Sequence, residues 1–367
     1  MRTLLVQPNY YSRFPPLGLL KISTYHRMLG DEVCFQKGCV AAPWTPDNIY
    51  VTSLFTYAWK PVHEAVRFYQ QQYPKAEIIL GGIYATLMPE HAAKSGATIH
   101  RGLFEQAEGM IPDYSLVPDW NASIVFSSRG CINDCPFCAV PKLEPEFKCR
   151  KTIKDLICPD HKKIILWDNN MLASPYWKEI LLEIRSLNLP VDFNQGIDTR
   201  LMTPEKAEVL ASLRTYMIRT AFDRPKQEQE VEDGIQMLIQ AGVRPRDILV
   251  YLLYNFNDTP EDLLHRLQKA MEWGVVSYPM RYQPVKGRYA LKKDSFVGRH
   301  WSPEQLEMVA DARRVLGTHG AFPPYEGLKK KFIRPRTLEE ALQLRAVTNT
   351  NRRMGVLSAI KKRIWGK

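Results

Sequence analysis

Three cysteines crowd into one short loop, Ser127-Ser128-Arg129-Gly130-Cys131-Ile132-Asn133-Asp134-Cys135-Pro136-Phe137-Cys138. Thiolates at this C-x-x-x-C-x-x-C spacing can converge on one small cofactor. A structural zinc site takes four protein ligands, and no C-x-x-H or second C-x-x-C pair lies nearby to complete one. A cubane 4Fe-4S cluster takes one ligand per iron, so three cysteines leave one iron open. The missing fourth ligand is therefore informative.

An open iron is what reductive cleavage of S-adenosylmethionine requires, because the amino and carboxylate groups of that molecule chelate it and bring the sulfonium beside the electron source. The spacing, with Phe137 as the aromatic before the last cysteine, resembles the signature of the radical S-adenosylmethionine superfamily. That resemblance implies a partial six-strand barrel and a 4Fe-4S cluster on Cys131, Cys135 and Cys138. It also implies bound S-adenosylmethionine, a reducing donor such as flavodoxin or ferredoxin, and a 5′-deoxyadenosyl radical. Cys149 and Cys158 follow closely, but two thiols are too few for a second cluster and read as ordinary cysteines.

In a parallel barrel the carboxyl ends of the strands line the site. Asp168, Asn169 and Asn170 end the second expected barrel strand, where in similar enzymes polar residues approach the methionine ammonium; the same residues also suit a turn and helix entry. Asp198 and Arg200 follow the third strand, as contacts to a ribose hydroxyl and a carboxylate or as an ion pair with each other. Asp223 ends the fourth strand and Asn255 the fifth, both as cofactor contacts. Thr259 followed by Pro260 and Asp262 reads as a helix cap. Arg281, Tyr282 and Gln283 either position ligand or bind a closing segment.

These residues need elements to carry them. Over the first 100 residues, short β-rich runs at 3–7, 32–36, 50–54 and 77–80 alternate with helical patterns at 18–29 and 62–72, which predicts an α/β, doubly wound parallel sheet. Gly81-Gly82 after the last run fit a tight turn or the close approach of a ligand. Residues 102–122 lack a sustained period and read as a connector, with a boundary near 115. Strands near 123–127, 163–167, 190–193, 215–220, 246–252 and 276–281, separated by amphipathic patterns such as 176–187, 204–212 and 258–273, predict the partial six-strand β/α barrel. Domains are expected at 1–114, 115–290 and 291–367, the last a helical, basic extension with helices at about 302–316 and 337–347.

A doubly wound domain ahead of such a barrel resembles the cobalamin-binding class of the superfamily. Pro15-Pro16-Leu17-Gly18-Leu19-Leu20, Leu80-Gly81-Gly82 and Pro112-Asp113-Tyr114 carry that resemblance. It implies a cobalamin across the carboxyl edge of the sheet and methyl transfer to carbon or phosphorus. No D-x-H-x-x-G motif is present, and His26 has its following glycine at the wrong spacing, so a cobalamin here would lack a histidine lower ligand. Tyr10, Tyr11, Thr52, Ser53, Phe55 and Thr56 would face the corrin, or form a plain interface.

Apolar residues make up 45% of the 367 and aromatics 11%, which excludes a disordered chain. No run approaches the roughly 20 apolar residues of a membrane span, and Pro8 interrupts the start before a signal core develops, so a cytoplasmic location without membrane association is expected. Seven cysteines, an odd count, suit metal binding in a reducing compartment. Of the net charge of +11, residues 329–367 hold twelve Lys or Arg against two Glu, a surplus of 12 − 2 = +10. Such a tail suits a polyanion such as nucleic acid, or a solvated surface. Three readings result: a radical enzyme with cobalamin-dependent methyl transfer, a cobalamin-free radical oxidation or rearrangement enzyme, and a nucleic-acid-binding protein with a structural metal site.

Overall fold

The computed structural model describes residues 1–343. The expected helix at 337–347 is described only as Leu338–Leu342, and the basic tail beyond residue 343, with the nucleic-acid contact expected of it, lies outside the described residues. The chain is mixed α/β with parallel sheets. Among the described residues no helix is long and apolar enough to cross a membrane.

The first sheet has five strands: β1 (Arg2–Gln7), β2 (Glu32–Lys37), β3 (Asn48–Thr52), β4 (Glu77–Gly81) and β5 (Thr98–Ile99). Their spatial order is β2-β1-β3-β4-β5 and every pairing is parallel. The chain therefore reverses direction across the sheet between β1 and β3, and their carboxyl ends flank a crevice where ligands bind in open sheets of this kind. Helices cover both faces, which is why the central strands carry aliphatic residues without interruption. Leu4, Val6, Ile49, Val51 and Leu80 pack under the helix Trp59–Gln72, while Leu5 meets Leu19 and Ile22 of the helix Leu17–Met28.

The second series begins with β6 (Ala122–Val125). A short antiparallel hairpin follows, β7 (Ser128–Arg129) with β8 (Lys148–Cys149), and it brackets the cysteine loop. Next come β9 (Lys163–Leu166), β10 (Val191–Phe193), β11 (Ile218–Ala221), β12 (Ile248–Tyr254) and β13 (Val276–Arg281). Parallel ladders join β6-β9-β10 and β11-β12-β13. A single parallel bridge, Val191 to Thr215, links the two ladders.

Side chains on these strands alternate with period two. Ile164, Leu166, Val191, Phe193, Val250 and Leu252 enter one large core beneath the helices. The opposite face holds Ile165 with Ala122 and Ile124, against which Leu17 and Phe14 pack from the first part of the chain. Phe14 sits edge-on between Trp120 and Trp167, with ring centroids 5.8 and 5.2 Å away. The same face carries Asp192, bonded to Arg219 and, at 3.2 Å, to Lys163.

Arg266 is a buried cation in the helix Pro260–Glu272, fully enclosed. Its guanidinium donates to the carbonyls of Leu253 (2.7 Å), Asp223 (3.0 Å) and Phe222 (3.1 Å), and to Asp258 Oδ2 (2.7 Å). One side chain thus ties the carboxyl ends of β11 and β12 to a helix. Thr259 and Asp262 form a reciprocal capping box with Pro260 in the first turn, the arrangement read from the sequence.

Candidate functional site

The cysteine loop leaves β7 through Gly130, whose φ is +74°, in the left-handed region that glycine tolerates. A Cβ there would lie 2.2 Å from the carbonyl oxygen of Glu146, because the returning chain crosses directly over the loop. The Gly130 N–H also donates to Glu144 Oε2 at 2.8 Å. Arg129 joins Glu144 (2.9 Å) to Glu108 (2.6 Å), and Lys21 joins Glu108 at 3.3 Å, so the connector and the helix Leu17–Met28 brace the loop from one side.

Asp168 braces it from the other. The carboxylate is 2% exposed and accepts from Ser127 N–H (3.1 Å), Ser127 Oγ (2.5 Å) and Ser128 Oγ (2.7 Å). Burial pushes its pKa up, opposed by those donors. Asp168 thus pins the strand leading into the loop, which turns its carboxylate toward the protein. Asn169 donates to Glu144 Oε2 at 3.1 Å.

Cys131, Cys135 and Cys138 are free and half-buried. Cys131 Sγ accepts from Asn133 N–H at 3.4 Å and Cys138 Sγ from Val140 N–H at 3.4 Å. Burial raises the Cys135 and Cys138 thiols, and neighbouring thiols of the loop raise them further. Among the described residues no three His, Cys, Asp or Glu side chains gather into a group that could hold a metal ion. A cubane takes each cysteine on a different iron, so it does not need three thiols gathered on one point.

Asn170 is 1% exposed and reaches Cys131 Sγ with Nδ2 at 3.7 Å and Asp198 Oδ2 at 3.4 Å; its buried Oδ1 has no partner. Asp198 receives Asn133 Nδ2 at 3.2 Å, the Arg200 backbone N–H at 3.2 Å and two bonds from the Arg200 guanidinium, each 2.7 Å, so the pairing of Asp198 with Arg200 is the arrangement adopted. Burial pushes the Asp198 carboxyl up, but the Arg200 guanidinium outweighs it and holds the group below the usual carboxylate range. Asp223 has no such match: burial pushes it up to about 6 against the pull of Arg266 and Arg200. Phe137 lies edge-on to Phe256, 5.7 Å between centroids, with the Arg224 guanidinium 6.0 Å over its ring.

Asn255 is placed differently from the expectation of a cofactor contact. It is fully buried with φ +69°, its Nδ2 donates to Phe296 O (3.0 Å) and its Oδ1 accepts from Gly298 N–H (2.7 Å). Both amide atoms therefore hold the segment that follows β13. Arg281 serves the same segment, donating to the carbonyls of Asp294 and Phe296, and Gln283 donates to those of Tyr289 and Lys292.

Between the carboxyl edges of the two strand series lies a cavity of about 810 Å³. Tyr10, Tyr11, Thr52, Ser53 and Phe55 line it from the first sheet. Trp167, Asn169, Asn194 and Tyr251 line it from the second series, and Val140 and Leu143 from the turn after Cys138. Thr56 instead bonds Ala290 O at 2.7 Å. Gly82 is a packing glycine: at φ +99° its Cβ would meet Ser53 O at 2.5 Å. His26 is a structural histidine, 2.7 Å from Asp31 and 3.2 Å from the Tyr50 hydroxyl.

Sequence reading passed over Arg266 and the Asp192–Arg219–Lys163 cluster. Their signal was available in part, since charged residues at positions whose spacing matches buried neighbours need partners. No family model matches the chain, and no curated protein matches it.

Proposed function

We propose that this chain is a radical S-adenosylmethionine enzyme, with a 4Fe-4S cluster on Cys131, Cys135 and Cys138. The carrying observation is the loop itself. Three free thiols, two of them accepting backbone N–H bonds, sit at the carboxyl end of the first of six parallel strands that follow one another in chain order. That strand order supports a partial barrel over 115–290, with 1–114 as a doubly wound domain and 291–367 as an extension.

When bound, the cluster and S-adenosylmethionine supply a 5′-deoxyadenosyl radical by one-electron reduction of the sulfonium. The chain's own residues bind and orient. Asn170 Oδ1, buried without a donor, would accept from the methionine ammonium, and Arg200, 30% exposed at its side chain, would meet the carboxylate. Phe137 of the loop and Phe256 present an apolar edge that would keep water from the bound cofactor. An external low-potential donor such as flavodoxin or ferredoxin would supply the electron.

Anaerobic reconstitution followed by iron and sulfide analysis tests the cluster. The expected content is about four of each per chain, lost in Cys131→Ala, Cys135→Ala and Cys138→Ala but retained in Cys149→Ala. One zinc per chain and no sulfide would contradict it.

A second reading concerns the cavity. Its size and its place at the carboxyl edge of β1 and β3, where the strand order reverses, favour a large ligand facing the second series. In this reading a cobalamin without a histidine ligand sits there and supplies a methyl group for transfer to the substrate. Cobalt analysis after loading with hydroxocobalamin and desalting separates the two: about one cobalt per chain supports methyl transfer, and none supports a cobalamin-free radical oxidation or rearrangement.

A further inference from the structure

Cys131 differs from its two partners in what approaches its sulfur. Besides the backbone N–H of Asn133 at 3.4 Å, it faces the side-chain amide of Asn170 at 3.7 Å, carried by the turn that follows β9 and 1% exposed. The orientation of that amide is forced. Its nitrogen also lies 3.4 Å from Asp198 Oδ2, and an ionised carboxylate only accepts, so the donor end must point toward Asp198 and Cys131. Asp198 is fixed in turn by two bonds from the Arg200 guanidinium, one from the Arg200 backbone N–H and one from Asn133. The amide therefore has its acceptor end buried without a partner and its donor end aimed at a sulfur.

We propose that Asn170 is a positioning residue that sets the reduction potential of the cluster, with Asp198 holding its amide in place. The inference rests on the radical S-adenosylmethionine reading. Reduction places one more electron on the iron–sulfur core, and negative charge on the Cys131 sulfur rises. An N–H dipole aimed at that sulfur stabilises the reduced state more than the oxidised one and so raises the potential. The half-reaction moves one electron from an external reductant, dithionite in the assay, with no proton transferred and no bond broken. Low dielectric around a buried amide strengthens the effect.

The test is a potentiometric titration followed by electron paramagnetic resonance, on the full reconstituted chain without S-adenosylmethionine. Asn170→Leu removes both polar atoms at similar volume. At the wild-type midpoint its reduced-to-oxidised ratio should fall about tenfold, roughly 59 mV for a one-electron couple, with iron and sulfide content unchanged. Asn170→Ala, which removes the same N–H and leaves the charge of Asp198 in place, should shift the midpoint the same way. If Asn170→Leu does not load, Asn170→Ala decides. Loaded variants with the wild-type midpoint would overturn the proposal while leaving the cluster assignment standing. A wild-type chain that fails to assemble four irons would overturn the assignment itself.

Discussion

Replacing Arg266 by Met removes a guanidinium that is fully enclosed and bonded to four main-chain carbonyls, those of Phe222, Asp223, Leu253 and Asp262, and to Asp258. Met fills much of the space, so the loss is mainly electrostatic. Breaking a buried pair by removing one member costs about 3–5 kcal/mol, because the remaining charge stays desolvated. Asp258 keeps the Trp301 indole N–H at 3.3 Å and the Phe256 N–H at 3.1 Å, which places the expected loss near the lower end, about 3 kcal/mol. Burial already pushes the Asp258 carboxyl up, and Arg266 pulls it back. Without Arg266 its folded pKa rises further above the unfolded value. A raised carboxyl contributes stability below the unfolded pKa and loses it as pH rises through the folded one. The deficit of the variant should therefore be largest at mildly alkaline pH and shrink on acidification. Urea unfolding at several pH values, followed by tryptophan fluorescence, measures both. A loss under about 1 kcal/mol, or one independent of pH, would show that Arg266 does not neutralise a buried Asp258.

For Asp192 the sign is opposite. Burial raises this carboxyl, but Arg219 and Lys163 outweigh it and hold it below the ordinary value, so its contribution is present above the unfolded pKa and lost as pH falls through the folded one. Asp192→Asn should cost about 3 kcal/mol at neutral pH, and the gap to wild type in urea midpoints should close in acid. Gly130→Ala brings a Cβ to 2.2 Å from Glu146 O at positive φ. It should displace the loop and lower iron content per chain at least severalfold after reconstitution, while far-ultraviolet circular dichroism stays unchanged.

Most strands of both series were legible because runs such as Ile248–Tyr254, buried on two faces, stand out as continuous apolar, β-rich stretches, whereas the two residues of β5 are too few to do so. The cysteine loop was legible because its spacing is local. The hairpin Ser128–Arg129 with Lys148–Cys149 was not, since two residues carry no period and its pairing spans the whole loop. The role of Asp168 was half legible: its position at a strand end was read, but its partners lie 40 and 41 positions away. Asn255 fits a helix-preceding turn by composition, and only the fold brings Phe296 and Gly298 to its amide. The helix Glu326–Ile333 was hidden by its lysines, although Leu328 and Phe332, four apart, bury one face.

Anaerobic incubation of the reconstituted chain with dithionite and S-adenosylmethionine, followed by chromatography of the products, tests the radical chemistry most directly. Wild type should yield 5′-deoxyadenosine and Cys135→Ala none. Wild-type protein that carries a verified four-iron cluster and yields no 5′-deoxyadenosine would contradict the radical assignment.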